Sequence, residues 1–167
     1  MNILKGAGVA GLLAVAGSAA FAQGKPLADD AASAPLWNKQ CVKEGEREVC
    51  FIEQYAVAMP SNTVLLNIRI GYFGPEGRPR MIVTVPIGVL LAPGLVMSID
   101  AGKPVTLPFE SCQTGGCRSV ADMDQPTLDQ IRRGNRMTMR FVGADRNALD
   151  IPISLKGVDA ALKQLKK

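Results

Sequence analysis

The stretch 63-TVLLNIRIGYFGPEGRPRMIVTV-85 decides the fold class of this 167-residue chain. Apolar residues occupy every second position in both halves of it, which is the pattern of β-strands with one buried face. The first half places on one face Val64, Leu66, Ile68, Ile70 and Tyr72, and the second half places on one face Met81, Val83 and Val85. The intervening Gly74-Pro75-Glu76-Gly77 has turn composition. We therefore predict a β-hairpin here.

The same period of two recurs in the last third of the chain. Met137, Met139 and Phe141 alternate with polar residues, and so do Ile151, Ile153 and Leu155, with a turn-like segment over 143–147 between the two runs. Strands about ten residues apart, separated by Gly and Pro, favour an antiparallel architecture. We predict a mainly β fold, an antiparallel β-sandwich or barrel-like domain, with Trp37 as a core residue.

Two short helices complete this prediction. Asp124 can cap a helix that has Pro126 in its first turn and ends at Gly134. A second helix is indicated over 158–165, where apolar residues recur at helical spacing. Both are short and amphipathic, so each is expected to pack against the sheets.

The four cysteines fall into two close pairs, Cys41 with Cys50 and Cys112 with Cys117. Each pair brackets a turn-like segment, so two short-loop disulfides across hairpins are the favoured interpretation. Neither pair has the two-residue spacing typical of zinc sites or redox-active dithiols. Pairing between the two groups stays open at this point, since connectivity does not follow from spacing alone.

The first 22 residues have the features of a cleaved signal peptide. Lys5 precedes an uncharged, apolar run, and Ala20-Phe21-Ala22 is a small-x-small cleavage pattern. Residues 23–35 are predicted to be a flexible lead-in, and residues 36–167 a single domain. No other stretch is apolar enough to span a bilayer, so we predict an exported, periplasmic protein, with association to the outer membrane or cell surface left open.

The composition argues against catalysis and against nucleic-acid binding. Histidine, the commonest general base and metal ligand, is absent. The net charge of +4 is modest, and aromatic residues make up only 5% of the chain, unlike a nucleic-acid-binding surface. We predict no cofactor and no metal. A carboxylate-dependent hydrolase is the less favoured alternative, and its candidate acids are Asp100, Glu110, Asp122 and Asp124.

The segment Pro86–Val96 is apolar throughout, although it connects two strand-like runs. It is interpreted either as a buried loop or as an exposed patch that docks a partner. The partner-binding candidates within it are Ile87, Val89, Leu90 and Leu91. A weaker candidate, a site for anionic lipid or polysaccharide, comprises Arg132, Arg133, Arg136 and Arg140, for which a solvated charged face is the more ordinary interpretation.

An ordered set of motifs resembles the invasion-associated locus B proteins, exported proteins of Gram-negative bacteria. The motifs are Trp37, the Cys41 and Cys50 pair, Val85–Leu91 with Pro93-Gly94, Ser98-Ile99-Asp100, Pro108-Phe109, Cys112 with Gly116-Cys117, and the closing Ile153–Gly157. The resemblance extends over the whole predicted domain. It implies a periplasmic or cell-surface protein, with no catalytic residue set to carry over.

The resulting functional prediction is a non-enzymatic periplasmic or cell-envelope protein that binds an envelope component or a protein partner. The alternative, which the resemblance alone motivates, is a surface-exposed adhesin or invasion factor that contacts host cells. The oligomeric state and the identity of the partner stay open.

Overall fold

A computed structural model describes residues 37–165 of the chain. The predicted signal peptide (1–22) and lead-in (23–35) lie outside the described residues. The strands are β1 Asn38–Glu44, β2 Arg47–Ala58, β3 Thr63–Gly71, β4 Arg80–Val85, β5 Leu95–Ile99, β6 Val105–Leu107, β7 Phe109–Gln113, β8 Gly116–Asp122, β9 Arg136–Val142 and β10 Ala148–Ser154. The helices are α1 Gln125–Arg133 and α2 Val158–Leu162, and a 3₁₀ turn spans Pro75–Gly77.

The ten strands form two antiparallel sheets, as predicted. The larger has six strands in the order β1-β2-β3-β4-β8-β7, and the smaller has four in the order β10-β9-β5-β6. The chain passes from the larger sheet to the smaller one between β4 and β5, returns at β7, and crosses again after α1.

One hydrophobic core lies between the inner faces of the two sheets and the two helices. The strand residues in this core include Ile52, Leu66, Ile68, Ile70, Met81, Val83, Leu95, Met97, Met137, Met139, Phe141, Ile151 and Ile153. The helices add Leu128, Ile131, Val158 and Leu162. Trp37 is also buried, and its indole Nε1 donates a hydrogen bond to the Ser154 carbonyl at 3.0 Å. The apolar residues that alternate along these strands therefore lie on the face that packs into the core.

The predicted hairpin is confirmed, with one correction at its start. β3 and β4 pair antiparallel, with Asn67 opposite Thr84 and Gly71 opposite Arg80. The prediction put Val64 on the buried face, but the pairing of β2 with β3 shifts register between Ala56 and Val57. The shift leaves an extra β3 residue, so Val64 lies on the outer face opposite Val57 and is 44% exposed.

The predicted helices are present, and the second is shorter than expected. Asp124 caps α1 by accepting a hydrogen bond from the Thr127 N–H at 2.9 Å, and Gly134 follows its last residue. α2 ends at Leu162, and the next residues continue in tight turns, in which the Leu165 N–H donates to the Leu162 carbonyl at 3.1 Å.

Two disulfides join the predicted cysteine pairs. Cys41–Cys50 connects β1 to β2, and Cys112–Cys117 connects β7 to β8. In both hairpins the cysteines are direct cross-strand partners, which brings the two Cα atoms to 4.0 Å. None of the helices in residues 37–165 is long and apolar enough to cross a membrane.

Candidate functional site

The outer face of the six-stranded sheet carries a groove that exists because neighbouring strands end at different levels. β4 pairs with β3 only over Asn67–Gly71, which leaves Thr63–Leu66 of β3 without a partner strand on that side among the described residues. β4 stops at Val85, directly before Pro86. Proline has no backbone N–H and cannot continue a sheet ladder. The β2–β3 hairpin therefore projects beyond β4.

After Ile87 the chain turns away to the four-stranded sheet. The Ala144 N–H donates to the Gly88 carbonyl at 2.8 Å, and the Leu90 N–H donates to the Val142 carbonyl at 2.8 Å. These bonds hold the departing segment against the β9–β10 turn. The place that a longer β4 would occupy beside β3 is therefore open.

The β7–β8 turn forms the opposite wall of the groove. Gln113 pairs with Gly116 across this turn, and Cys112–Cys117 fastens it. Gly116 has φ 129°, and a Cβ added there would lie 2.4 Å from the Val85 carbonyl oxygen. Only glycine allows this close approach of β8 to the end of β4.

The groove between these walls has a volume of about 600 Å³. Apolar side chains line its rim: Tyr55 and Val64 on the β2–β3 hairpin, and Ile87 on the segment that leaves β4. Their exposed fractions are 49%, 44% and 65%, respectively. Exposed apolar groups that converge on a concave surface are typical of a binding site.

The floor of the groove is polar and hydrogen-bonded. The Glu53 carboxylate accepts hydrogen bonds from Arg69 Nε at 3.3 Å, Asn67 Nδ2 at 3.4 Å and the Tyr55 hydroxyl at 3.3 Å. Glu53 and Asn67 are buried. The Arg69 guanidinium also lies 5.1 Å from the centroid of the Phe51 ring. This network fixes Arg69 in place at the base of the groove.

A second cation lines the groove on the side of β8. Arg118 pairs with Glu110 at 3.0 Å, and both side chains are about half exposed. Exposed ion pairs of this kind are weak, so Arg118 can exchange its partner at little cost. Among the described residues, the charged side chains that line the groove are Arg69 and Arg118, and no carboxylate lines it. Arg69 is neutralised by the buried Glu53 beside it, so the charge that the groove can offer a ligand is the exchangeable one of Arg118.

A smaller depression of about 370 Å³ adjoins the groove across Arg69 and Arg118. Its apolar floor includes Phe51 and Ile82, and Phe73 packs edge-on against Phe51. Phe51 is buried, yet it lies apart from the main core because it faces outward. The outer face is therefore a continuous surface of apolar patches and arginines.

The Arg80–Asp122 ion pair borders this surface, with 2.6 Å between Arg80 Nε and Asp122 Oδ1. The hydrogen bond from Arg80 holds the pKa of the Asp122 carboxyl below its ordinary value. Asp122 therefore stays ionised at neutral pH and neutralises Arg80 at this border.

The four partner-binding candidates occupy different environments. Ile87 lines the groove. Val89 packs against the core and bridges Gly143, so it holds the crossover segment in place. Leu90 and Leu91 are exposed further along this segment. The segment thus contains a residue packed against the core and three exposed apolar residues, and partner docking by the exposed ones stays a prediction.

Each of the four candidate acids has a structural partner of its own. Asp100 accepts hydrogen bonds from the backbone N–H groups of Asn135 and Arg136. Asp124 caps α1, and hydrogen bonds from the Thr127 side chain and the Thr127 backbone N–H hold the pKa of its carboxyl below its ordinary value. Glu110 and Asp122 pair with the arginines described above. Each of the four acids therefore has a hydrogen-bond or ion-pair partner among the described residues, and that of Glu110 is an exposed ion pair.

The four candidate anion-binding arginines are divided between two elements. Arg132 and Arg133 lie on α1, whereas Arg136 and Arg140 lie on β9. Arg132 pairs with Asp159 at 2.6 Å, and Arg140 makes two hydrogen bonds to Asp150 at 2.6 and 2.7 Å. These partners neutralise half of the predicted cluster.

One cluster has metal-ligating residue types, but its sulfur atoms are already bonded. Cys41, Glu48 and Cys50 place one potential ligand atom each within 4.8 Å of one another. The thiolate is the metal-binding form of cysteine, and here the two sulfur atoms form a disulfide. The cluster is therefore a disulfide with a neighbouring acid.

Tyr55, Glu53 and Arg118 are site residues that the sequence patterns did not predict. β2 gives little signal because Phe51 is buried on the outer face while Ile52 is buried on the inner face, which obscures the alternation. The available signal was the alternation of Asn67 and Arg69 with apolar residues on β3. It marks the outer face but does not show which strands flank it.

Comparison with known proteins relates the whole described domain to one family. The family model described as invasion associated locus B (IalB) protein matches residues 37–166. Invasion protein B homologues from Brucella abortus strain 2308 and from biovar 1 strain 9-941 are each 22% identical over 130 residues, which is 77% of this chain and 75% of theirs. The crystal structure of invasion associated protein b from Bartonella henselae has the same fold, with a TM-score of 0.70 and 22% identity over 79% of this chain and 91% of that one.

Proposed function

The chain belongs to the invasion associated locus B family, and from this premise we propose that it is an exported, non-enzymatic protein of the periplasm or cell envelope that binds an envelope component or a protein partner. The groove on the outer face of the six-stranded sheet is the observation that carries this proposal. It combines an open strand edge, an exposed apolar rim and two arginines. Such a surface is suited to binding.

Export is supported by the leader-like first 22 residues and by the two disulfides. Disulfides persist in oxidising compartments and are rare in a reducing cytosol. Together these features favour the periplasm as the compartment in which the domain folds.

A binding role is favoured over catalysis by the state of the titratable groups. The chain has no histidine, and the four candidate acids are engaged in backbone hydrogen bonds or ion pairs. A general acid or base needs a pKa near the working pH, whereas the pKa values of Asp122 and Asp124 are lowered further from neutrality.

The alternative function is a surface-exposed adhesin or invasion factor that contacts host cells. The names of the Brucella and Bartonella relatives favour it. It uses the same binding surface and differs in the location of the protein and in the partner. We therefore propose one experiment that separates the two.

The test places a photo-crosslinking amino acid, benzoylphenylalanine, at Ile87 in the groove and, as a matched control, at the exposed Ala148 on β10 of the other sheet. We expect a discrete adduct in intact cells from position 87 and none from position 148. Equal labelling at both positions, or no adduct at 87, would contradict a groove-based binding function.

External protease treatment of the same cells then locates the adduct. Protection until the outer membrane is permeabilised supports the periplasmic assignment. Digestion in intact cells favours the adhesin.

A further inference from the structure

We propose that the groove binds an extended, acidic segment of a partner polypeptide, which pairs its backbone with the open edge of β3. This inference rests on the proposed binding function and specifies the class of partner. It follows from three properties of the described residues: the location of the open edge, the size of the gap, and the charge and polarity of the side chains around it.

The outer edges of both sheets carry features that oppose strand addition. β1 carries Lys39 and Lys43, β10 contains Pro152, β6 has only three residues, and the pairing of β7 with β8 has a register shift. Lysine, proline, short length and bulges are the usual protections of sheet edges. The edge of β3 over Thr63–Leu66 contains no lysine or proline, the bulge in this stretch belongs to its pairing with β2 on the other side, and Val64 lines the groove.

The part of β3 beyond its ladder with β4 is long enough to pair with a short strand. Neighbouring strands in a sheet lie about 4.8 Å apart, and four residues of an extended chain span about 13 Å. The open part of β3 is also four residues long, Thr63–Leu66. A short extended segment placed there would continue the position of β4 and meet the β7–β8 turn on its other side. Strand addition of this kind is a known mode of peptide recognition.

The side chains around the gap define the sequence that fits. Val64 and Ile87 form the apolar end of the groove, and Arg69 and Arg118, each paired with a glutamate, lie at its base, where the exposed Arg118 pair can exchange its carboxylate. In an extended segment, residues i and i+2 point to the same face. An apolar residue near Val64 and Ile87 followed two positions later by Asp or Glu near the arginines would match both regions. The expected motif is therefore apolar-x-acidic.

The open backbone edge decides between a polypeptide and other anions. A phospholipid headgroup or an acidic polysaccharide could pair with Arg118 as well as a carboxylate can. Neither offers the regular series of N–H and C=O groups that an unpaired strand edge requires. A polypeptide satisfies the charge and the edge together.

The test begins with a random heptapeptide display library selected on the purified, disulfide-intact protein. We expect enrichment of the apolar-x-acidic motif. The most enriched heptapeptide is then synthesised with a fluorophore, and its affinity is measured by anisotropy. Arg118→Gln should weaken binding about tenfold or more, because it removes a charge-assisted hydrogen bond.

Arg140→Gln is the matched control, since Arg140 is an exposed, ion-paired arginine on β9 of the other sheet. It should leave the affinity unchanged within about twofold. Methylation of alternate backbone amides of the peptide tests strand pairing, because it removes the donors without changing side chains. Two peptides are compared, one methylated at its odd-numbered amides and one at its even-numbered amides, and one of the two should bind at least tenfold more weakly than the unmethylated peptide. Trp37 fluorescence verifies that each variant is folded.

Three outcomes would overturn the inference. They are no enrichment of any peptide motif, enriched peptides that lack an acidic residue, and an affinity that neither of the two alternate-amide methylations changes. Anionic phosphatidylglycerol vesicles serve as the second probe. If they bind in an Arg118-dependent manner while peptides do not, the inference fails and the proposed binding function stands. If neither probe binds and position 87 gives no adduct, both fail.

Discussion

Removing the two disulfides one at a time should separate the stability of the domain from the shape of the groove. Cys112–Cys117 fastens the turn that forms one wall of the groove, whereas Cys41–Cys50 closes the β1–β2 hairpin at the sheet edge. We predict that Cys112→Ala with Cys117→Ala lowers both the stability and the affinity for a groove ligand. Cys41→Ala with Cys50→Ala should lower the stability alone.

The expected magnitudes follow from loop length and burial. The Cys41–Cys50 loop has a sequence separation of 9, for which the chain-entropy model gives about 2.6 kcal/mol. The Cys112–Cys117 separation of 5 gives about 2.1 kcal/mol in the same model. Cys117 is 3% exposed, so losing its buried sulfur adds about 0.8 kcal/mol, the value of one methylene. The two variants should therefore lose similar stability, close to 3 kcal/mol.

Urea unfolding monitored by Trp37 fluorescence provides the measurement. Trp37 is the single tryptophan and is 3% exposed, so its emission should shift when the core opens. A loss of this size lowers the urea midpoint by about 1–3 M for a typical small-domain slope. Both double variants are then tested for peptide affinity under conditions in which they are more than nine-tenths folded.

A free energy of unfolding within about 1 kcal/mol of the parent in either variant would contradict this prediction, because the loop would then constrain the unfolded chain far less than the entropy model requires. The prediction is also refuted if the Cys41/Cys50 variant loses groove affinity and the Cys112/Cys117 variant keeps it. That result would place the binding surface at the opposite edge of the sheet.

Three further predictions follow from single side chains. The hydrogen bonds from Arg140 hold the pKa of Asp150 below its ordinary value of 3.8. The stabilising contribution of Asp150 is therefore present above that value and is lost as the pH falls through the lower, folded-state pKa. Because the chain has no histidine, urea titrations should show constant stability from about pH 5 to 8 and a decline below about pH 4. Gln54→Met should raise the melting temperature, because Gln54 Oε1 is buried without a hydrogen-bond partner in the described structure and its desolvation costs about 1–3 kcal/mol. An unchanged or lower melting temperature would show that the Gln54 side-chain amide has a hydrogen-bond partner in solution. Leu91→Glu should change the free energy of unfolding by less than about 0.5 kcal/mol, as at most exposed sites. Val89→Asp should lower it several times more, because Val89 packs against the core. Equal effects of the two substitutions would contradict this difference in burial.

The sequence predicted best those parts of the fold in which one face of a strand is buried and the other is not. On β3, β4, β9 and β10 the apolar residues of one face enter the core, so the period of two is visible in the sequence. The two local cysteine pairings were the favoured prediction because each pair brackets a turn-like segment, and the structure confirms them by placing the cysteines directly opposite each other in hairpins. These features depend on local sequence.

The groove could not be predicted in the same way because it depends on register between distant strands. Glu53 meets Arg69 only because β2 and β3 pair with these two residues opposite each other. Arg118 joins this face only because β8 inserts beside β4. Such pairings bring together residues far apart in sequence, and a one-residue slip would reverse the faces. The bulge that turns Val64 outward shows how a single extra residue changes such a prediction.

One local residue nevertheless accounts for much of this non-local feature. Pro86 follows Val85 at the point where the β3–β4 ladder ends. A residue with a backbone N–H at this position could continue the ladder toward Leu65, and the edge of β3 would then be covered. Because proline cannot, the chain departs to Gly88 and Val89, which pair with the β9–β10 turn instead. The apolar segment that begins at Pro86 therefore acts in two ways: its start leaves the β3 edge open, and Ile87 lines the opening.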